Sequence, residues 1–180
     1  MSSLPSSVSS PVFLVVMGVA GCGKSSLGAA VAQAQALPLI EGDDHHSAAS
    51  REKMRQGIAL ADADREGWLA TLGQLLQGHP AGAVLTCSAL KKAYRERLRA
   101  ACPGVRFAFL DIDRAPAGER VAARVNTHFF STTLVDSQFA TLESPVGEPG
   151  VLRLDALQSI ATLQAQVIAW LAPAHQETTP

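Results

Sequence analysis

An unbroken apolar run, Val12-Phe13-Leu14-Val15-Val16-Met17, leads directly into Gly18-Val19-Ala20-Gly21-Cys22-Gly23-Lys24-Ser25, and few folds accept that junction. The run reads as a buried strand. Leu27, Val31 and Ala34 follow at i, i+4, i+7, the apolar stripe of a helix that covers a sheet. Between them, Gly18 to Ser25 fits G-x-x-x-x-G-K-[ST], a phosphate-binding loop. The chemistry needs these residue types at this spacing. Gly18, Gly21 and Gly23 let the backbone fold tightly and bring its N–H groups against phosphate oxygens, and the helix that starts at the loop points its positive end at the same anion. In this pattern Lys24 reaches the β- and γ-phosphates and the Ser25 hydroxyl serves Mg²⁺. The whole segment Gly18, Val19, Ala20, Gly21, Cys22, Gly23, Lys24, Ser25 and Ser26 is therefore the expected nucleotide cradle.

A chain of 180 residues with 47% hydrophobic and 17% charged residues suits one α/β domain rather than a disordered chain. The formal net charge of −1 advertises neither a nucleic-acid nor a membrane-surface partner. Cys22, Cys87 and Cys102 are odd in number and scattered, which argues against a disulfide framework and for a reducing, cytoplasmic setting. Residues Met1–Ser10 are Ser/Pro-rich without a basic leader, and the apolar run after them is too short for a signal or a span. The expected organisation is a loose tail over 1–10, one domain over 11–172 and a second tail over 173–180.

Along the chain, Pro38-Leu39-Ile40 reads as a second strand followed by Glu41-Gly42-Asp43-Asp44-His45-His46. Ligands of open α/β sheets bind beyond the carboxyl ends of the strands, so this acidic turn should face the phosphate site. There Glu41 could hold a water on Mg²⁺ and Asp43 could accept a proton from an attacking hydroxyl. Ser47 to Arg55 is helical in pattern. Asp62 or Asp64 can cap the next helix, whose apolar face is Trp68, Leu69, Leu72, Leu75 and Leu76. Ala83–Cys87 is a third strand, which leads through Ser88-Ala89-Leu90-Lys91-Lys92 into a basic helix. Val105–Ile112 is a fourth strand; Asp111 at its end imitates a Walker B aspartate, with Asp113 or a solvated edge-strand acid as equally open readings. Pro116–Val125 is a helix that places Arg120 and Arg124 on one face, either as a phosphate-closing lid or as a solvated surface. No periodicity marks Asn126–Thr132. Val151–Leu154 is a fifth strand, and Leu157, Ile160, Gln164, Val167 and Leu171 predict a final amphipathic helix. The adjacent histidines His45 and His46, with no cysteine near them, do not make a zinc site. A GTPase-type switch would need an Asn-Lys-x-Asp segment, and the sequence has none.

Several blocks together resemble the bacterial-type gluconokinases, from about Phe13 to Trp170. They are Met17–Ser25, Gly42-Asp43-Asp44-His45-His46, Glu52-Lys53-Met54, Leu60–Leu69, Cys87-Ser88-Ala89-Leu90-Lys91-Lys92-Ala93-Tyr94-Arg95, His128-Phe129-Phe130 and Ser137-Gln138-Phe139-Ala140-Thr141-Leu142-Glu143. The resemblance implies an α/β P-loop NTPase fold of five parallel strands in order 2-3-1-4-5 with helices on both faces. It also implies a substrate cap over about 44–80 and a lid over about 118–134. The implied reaction is transfer of the ATP γ-phosphoryl group to the terminal hydroxyl of D-gluconate with Mg²⁺ as cofactor, commonly by a homodimer; the alternative is a kinase of another hydroxylated acid such as shikimate. By the same resemblance, Asp43 orients the acceptor hydroxyl, His46, Lys53, Arg65, Lys91, Arg95 and Gln138 face the substrate, and Arg120 and Arg124 are the lid arginines. The chain departs from the family at Glu41 and Ser50, where Asp and Asn are usual, and by one extra residue near Asn126.

Overall fold

The apolar run before the glycine loop forms β1, Val12–Met17, at the centre of a parallel sheet. In the computed structural model, which describes residues 10–124 and 132–173, the other strands are β2 (Leu39–Glu41), β3 (Gly82–Thr86), β4 (Arg106–Asp111) and β5 (Val151–Asp155). They line up as β2-β3-β1-β4-β5, the expected order. Every pairing is parallel: Val15 sits opposite Leu85 on one side and Phe107 on the other. Parallel strands need crossovers, and these are supplied by α1 (Lys24–Gln35), α2 (Ala48–Arg55), α3 (Asp62–Gln77), α4 (Lys92–Ala101), α5 (Arg114–Ala123) and α6 (Thr132–Thr141), with α7 (Ile160–Leu171) after β5. None of these helices is long and apolar enough to cross a membrane.

Alternation along β1 builds two cores, one on each face of the sheet. Leu14 and Val16 pack with Leu27, Val31, Leu163 and Val167 from α1 and α7. Val15 and Met17 pack with Trp68, Leu69, Leu72 and Leu98 from α3 and α4. Because all strands point one way, the loops after β1, β2, β3 and β4 emerge at one edge of the sheet, where the glycine loop and the acidic turn meet.

Several local expectations need revision. The tail assigned to 1–10 lies almost wholly outside the described residues, as do His128-Phe129-Phe130 and most of the non-periodic stretch. Ala61, not Asp62 or Asp64, is the N-cap of α3; the Asp64 carboxylate reaches back one turn to accept the Ala61 N–H at 2.8 Å. The helix with the lid arginines starts two residues earlier than expected, with Pro116 tolerated in its first turn, where backbone N–H groups have no intrahelical partner. Leu157 is exposed in the turn before α7, and Ile160 is at the margin of exposure; the buried face of that helix is Leu163, Val167 and Leu171. Helix α6 was not anticipated from the sequence. Among its described side chains it buries only Leu134 and Val135, and it carries β-branched Thr132, Thr133 and Val135, so neither periodicity nor propensity announces it.

Candidate active site

The turn from β1 into α1 is built to present backbone to an anion. Gly23 is the N-cap of α1 in a left-handed conformation (φ 100°), and no side chain caps the helix, so the first amides of α1 face outward. Gly21, also left-handed at φ 81°, lies so close to α5 that a Cβ would stand 2.6 Å from the Ala117 carbonyl oxygen. Lys24 folds over the loop and donates from Nζ to the carbonyls of Gly18 at 3.1 Å and Val19 at 3.0 Å. Val19, Ala20 and Cys22 are buried under the loop, whereas Ser26 is exposed. Burial pushes the Cys22 thiol up from its ordinary value, which makes it a packing residue rather than a nucleophile. Beside the loop lies a cleft of about 370 Å³ walled by Gly21, Lys24, Ser25, Asp43 and Arg124.

Ser25 and Glu41 meet across this cleft. Ser25 Oγ donates to Glu41 Oε2 at 3.0 Å, and Thr86 Oγ1 donates to the same oxygen at 2.6 Å. The group is all oxygen, with a single carboxylate, which fits Mg²⁺ held mainly by water and nucleotide phosphates; it does not fit a dedicated protein cage. Among the described residues no group of three His, Cys, Asp or Glu side chains could chelate a metal by itself.

The acidic turn is pinned from beneath. Gly42, the first residue of a 3-10 turn Gly42–His45, lies where a Cβ would stand 2.2 Å from the Thr86 carbonyl oxygen. Its N–H donates to Thr86 Oγ1 at 3.3 Å, and its carbonyl accepts Trp68 Nε1–H at 2.7 Å. Asp43 thus starts from a fixed backbone while its side chain remains 55% exposed. His46 stacks on Trp68 with ring centroids 4.1 Å apart and places Nε2 3.7 Å from Asp43 Oδ1. Burial lowers the His46 pKa, opposed by Asp43 and reinforced by Arg65 and Arg51, so its imidazole is neutral at neutral pH. Its Nδ1 is buried without a hydrogen-bond partner among the described residues. An orphaned polar atom of that kind is costly unless a ligand or water meets it.

Lys24 and Asp43 form a shared wall. They line the phosphate cleft and also a second, smaller cavity bounded by His46, Met54, Leu60, Arg65, Trp68, Ser88, Leu134, Ser137 and Gln138. The structure therefore brings five expected residues, Lys24, Asp43, His46, Arg65 and Gln138, to one place. Gln138, on α6, also touches the glycine loop: its Oε1 accepts the Ala20 N–H at 2.7 Å. Since an amide N–H can only donate, the Gln138 NH₂ is the end left for the cavity. Ser88 and Ser137 were missed in the sequence, where small hydroxyl residues carry no pattern of their own.

Other expected site residues are engaged elsewhere. Arg95 is the clearest correction. It has no exposed surface, and all three guanidinium nitrogens are occupied: Nε and Nη2 donate to Glu148, and Nη1 to the carbonyls of Ala89 and Leu90. It braces the loop after β3 and does not line the cavity. Lys53 pairs with Asp64 at 2.7 Å, and Lys91 with Asp62 at 2.8 Å, an aspartate that also accepts from the Tyr94 hydroxyl; neither lysine is in the cavity wall. Arg120 points back to the loop, donating to the Ala156 carbonyl at 3.0 Å and, more weakly, to Gly21 and Cys22 at 3.4 and 3.5 Å. Arg124 lines the phosphate cleft. Asp111 pairs with Arg153 of β5 at 2.7 Å; β4 lies inside the sheet, between β1 and β5, so Asp111 is not an edge-strand acid.

Known proteins carry the same construction. The family described as an AAA domain matches residues 13–149. A gluconokinase of Gluconobacter oxydans is 42% identical over 149 residues, 80% of this chain and 82% of the relative. The thermosensitive gluconokinase of Escherichia coli is 39% identical, covering 84% of this chain and 83% of its own. The crystal structure of a gluconokinase from Sinorhizobium meliloti superposes with a TM-score of 0.82 at 41% identity, over 90% of this chain and 92% of that one. The chain belongs to the gluconokinase family of P-loop kinases.

Proposed function

We propose that this protein is an ATP-dependent gluconokinase, transferring the γ-phosphoryl group of ATP to the terminal hydroxyl of D-gluconate to give 6-phosphogluconate and ADP. One observation carries the reading: the phosphate cleft and a polar cavity share Lys24 and Asp43 as a common wall, so an anion on the loop and an alcohol in the cavity meet there. The polarity of the cavity suits a hydroxylated acid. Arg65 offers a cation for the carboxylate, and Gln138 Nε2, whose amide oxygen is taken by the Ala20 N–H, offers a donor.

In the reaction, the loop amides and Lys24 hold the triphosphate, with the ammonium leaving the Gly18 and Val19 carbonyls for phosphate oxygens. Asp43 accepts the proton of the attacking hydroxyl as the new O–P bond forms and the bond from γ-phosphorus to the ADP oxygen breaks. Ser25 and Glu41, the latter through water, would hold Mg²⁺, which supplies charge neutralisation on the phosphate oxygens. Arg124, from the end of α5, and Arg120, behind the loop, add positive potential where charge accumulates. Residues 44–80 serve as the substrate cap and 118–134 as the lid. The scattered cysteines fit a reducing, cytoplasmic setting, and the family resemblance implies a homodimer, which light scattering of the purified protein tests.

An acceptor screen with ATP and a coupled ADP assay tests the function. Gluconate is expected to turn over with Mg²⁺ and to stop on chelation by EDTA, with shikimate and nucleoside monophosphates poor acceptors. No turnover of gluconate, or equal rates on all acceptors, rejects the assignment.

A further inference from the structure

Ser88 leaves β3 at the edge of the sheet where the two sites meet, and it lines the cavity with His46, Arg65 and Gln138. Its hydroxyl has no hydrogen-bond partner among the described residues. The next residue, Ala89, is fully buried and left-handed at φ 45°. A non-glycine residue keeps that conformation only where its surroundings over-determine it.

Here they do. Arg95 Nη1 donates to the Ala89 carbonyl at 2.8 Å and to the Leu90 carbonyl at 3.1 Å. Its other two nitrogens are anchored on Glu148, with Nη2 to Oε1 at 2.5 Å and Nε to Oε2 at 3.0 Å. Arg99 holds the same carboxylate at 2.9 Å. From the far side of the turn, the Glu143 N–H donates to the Leu90 carbonyl at 2.9 Å, and Glu143 Oε2 accepts the Lys92 N–H at 2.7 Å. The segment that follows α6 thus straps the loop after β3 into a single shape.

We propose that Ser88 Oγ is a specificity-determining hydrogen-bond contact to the hydroxyl chain of the acceptor, and that the buried Arg95–Glu148 pair is the positioning device that holds it in the cavity. The inference rests on the acceptor being polyhydroxylated, as the gluconokinase reading has it. Ser88 acts by touching the acceptor. Arg95 and Glu148 act only through the turn at Ala89.

Steady-state kinetics on the full chain tests both halves, with gluconate and ATP varied separately. Ser88→Ala is expected to lower kcat/KM for gluconate about tenfold, the loss of one hydrogen bond, while leaving KM for ATP within about twofold. Glu148→Gln, away from the cavity, is expected to lower the same constant several-fold, and the double variant to be no worse than Ser88→Ala alone. A general loss of structure would instead move both substrates' constants. Should Glu148→Gln fail to fold, Glu143→Ala removes the acceptor of the Lys92 N–H on the other side of the same turn and carries the same expectation. An unchanged gluconate constant in Ser88→Ala overturns the contact, and additive losses in the double variant overturn the positioning. Wild-type protein that phosphorylates no gluconate overturns the functional reading instead, which separates the two failures.

Discussion

The two ends of the candidate site are built by different means. The phosphate end is almost all main chain: a left-handed Gly23, the uncapped start of α1, and one ammonium that rests on the carbonyls of Gly18 and Val19. Its conformation is written in eight consecutive residues, although Gln138, Arg120 and α5 brace it from outside. The acceptor end is all side chain, gathered from α2, α3, α6, the acidic turn and the loop after β3. It depends on long-range supports, such as Trp68 bonded to the Gly42 carbonyl and Gln138 bonded to the Ala20 N–H. A backbone cradle binds any triphosphate. Discrimination among acceptors therefore has to reside in the second set, where each polar atom can be exchanged by mutation.

That contrast can be broken most directly at Lys24, whose ammonium folds over the glycine loop. Lys24→Ala is expected to lower kcat/KM roughly 10³-fold with the thermal transition unchanged, because the ammonium binds charge and not core. Activity near wild type would mean that the amides suffice. Next in size is Asp43→Asn, expected to lower kcat by about 10² to 10⁴-fold while ATP affinity, measured by nucleotide titration, stays put. An equal fall in ATP affinity would place Asp43 at the phosphate end instead.

The support beneath the acidic turn gives a smaller effect. Trp68→Phe keeps most of the ring that stacks on His46 but leaves the buried Gly42 carbonyl without its donor, a loss of about 1 kcal/mol. A fall of a few degrees in Tm, with a larger effect on gluconate kinetics than on ATP kinetics, is the expected result. Equal effects on both would blur the division between the ends.

Acid titration gives the smallest effect. Hydrogen bonds from Arg95 and then Arg99 hold the Glu148 carboxyl below its ordinary value of 4.5. A depressed carboxylate stabilises the fold above its unfolded pKa, and that stability is lost as pH falls through 4.5 toward the folded value. Glu148→Gln should flatten the loss of stability in this window when urea unfolding is followed between pH 6 and about 3. An unaltered pH dependence would mean that the strap over the β3 exit is not held by this ion pair.

The same division explains what could be read before the structure. The loop and β1 were legible because their requirements are local: glycines for close approach, a lysine and a serine at fixed spacing, an apolar strand before them. The sheet order followed from the family resemblance and agrees with the structure. The acceptor end was legible only in part. Asp43, His46, Arg65 and Gln138 were expected at the site and do meet there, whereas Arg95 was assigned to the substrate because it follows a motif that enters the cleft. Its partner Glu148 lies 53 residues further on, a pairing that no local pattern reveals. Ser88 escaped for the opposite reason: a small hydroxyl becomes a site residue only once a buried arginine has fixed the turn beside it. Helix α6 escaped because only two of its described side chains, Leu134 and Val135, are buried.

A crystal structure with a non-hydrolysable ATP analogue and gluconate examines the meeting of the two ends most directly. The triphosphate should lie on the Gly18–Ser25 amides, with the terminal hydroxyl of gluconate about 2.6–3.2 Å from an Asp43 carboxylate oxygen and in line with the γ-phosphorus. Gluconate bound away from Asp43, or a γ-phosphate turned from the cavity that Asp43 and Lys24 share, would contradict it.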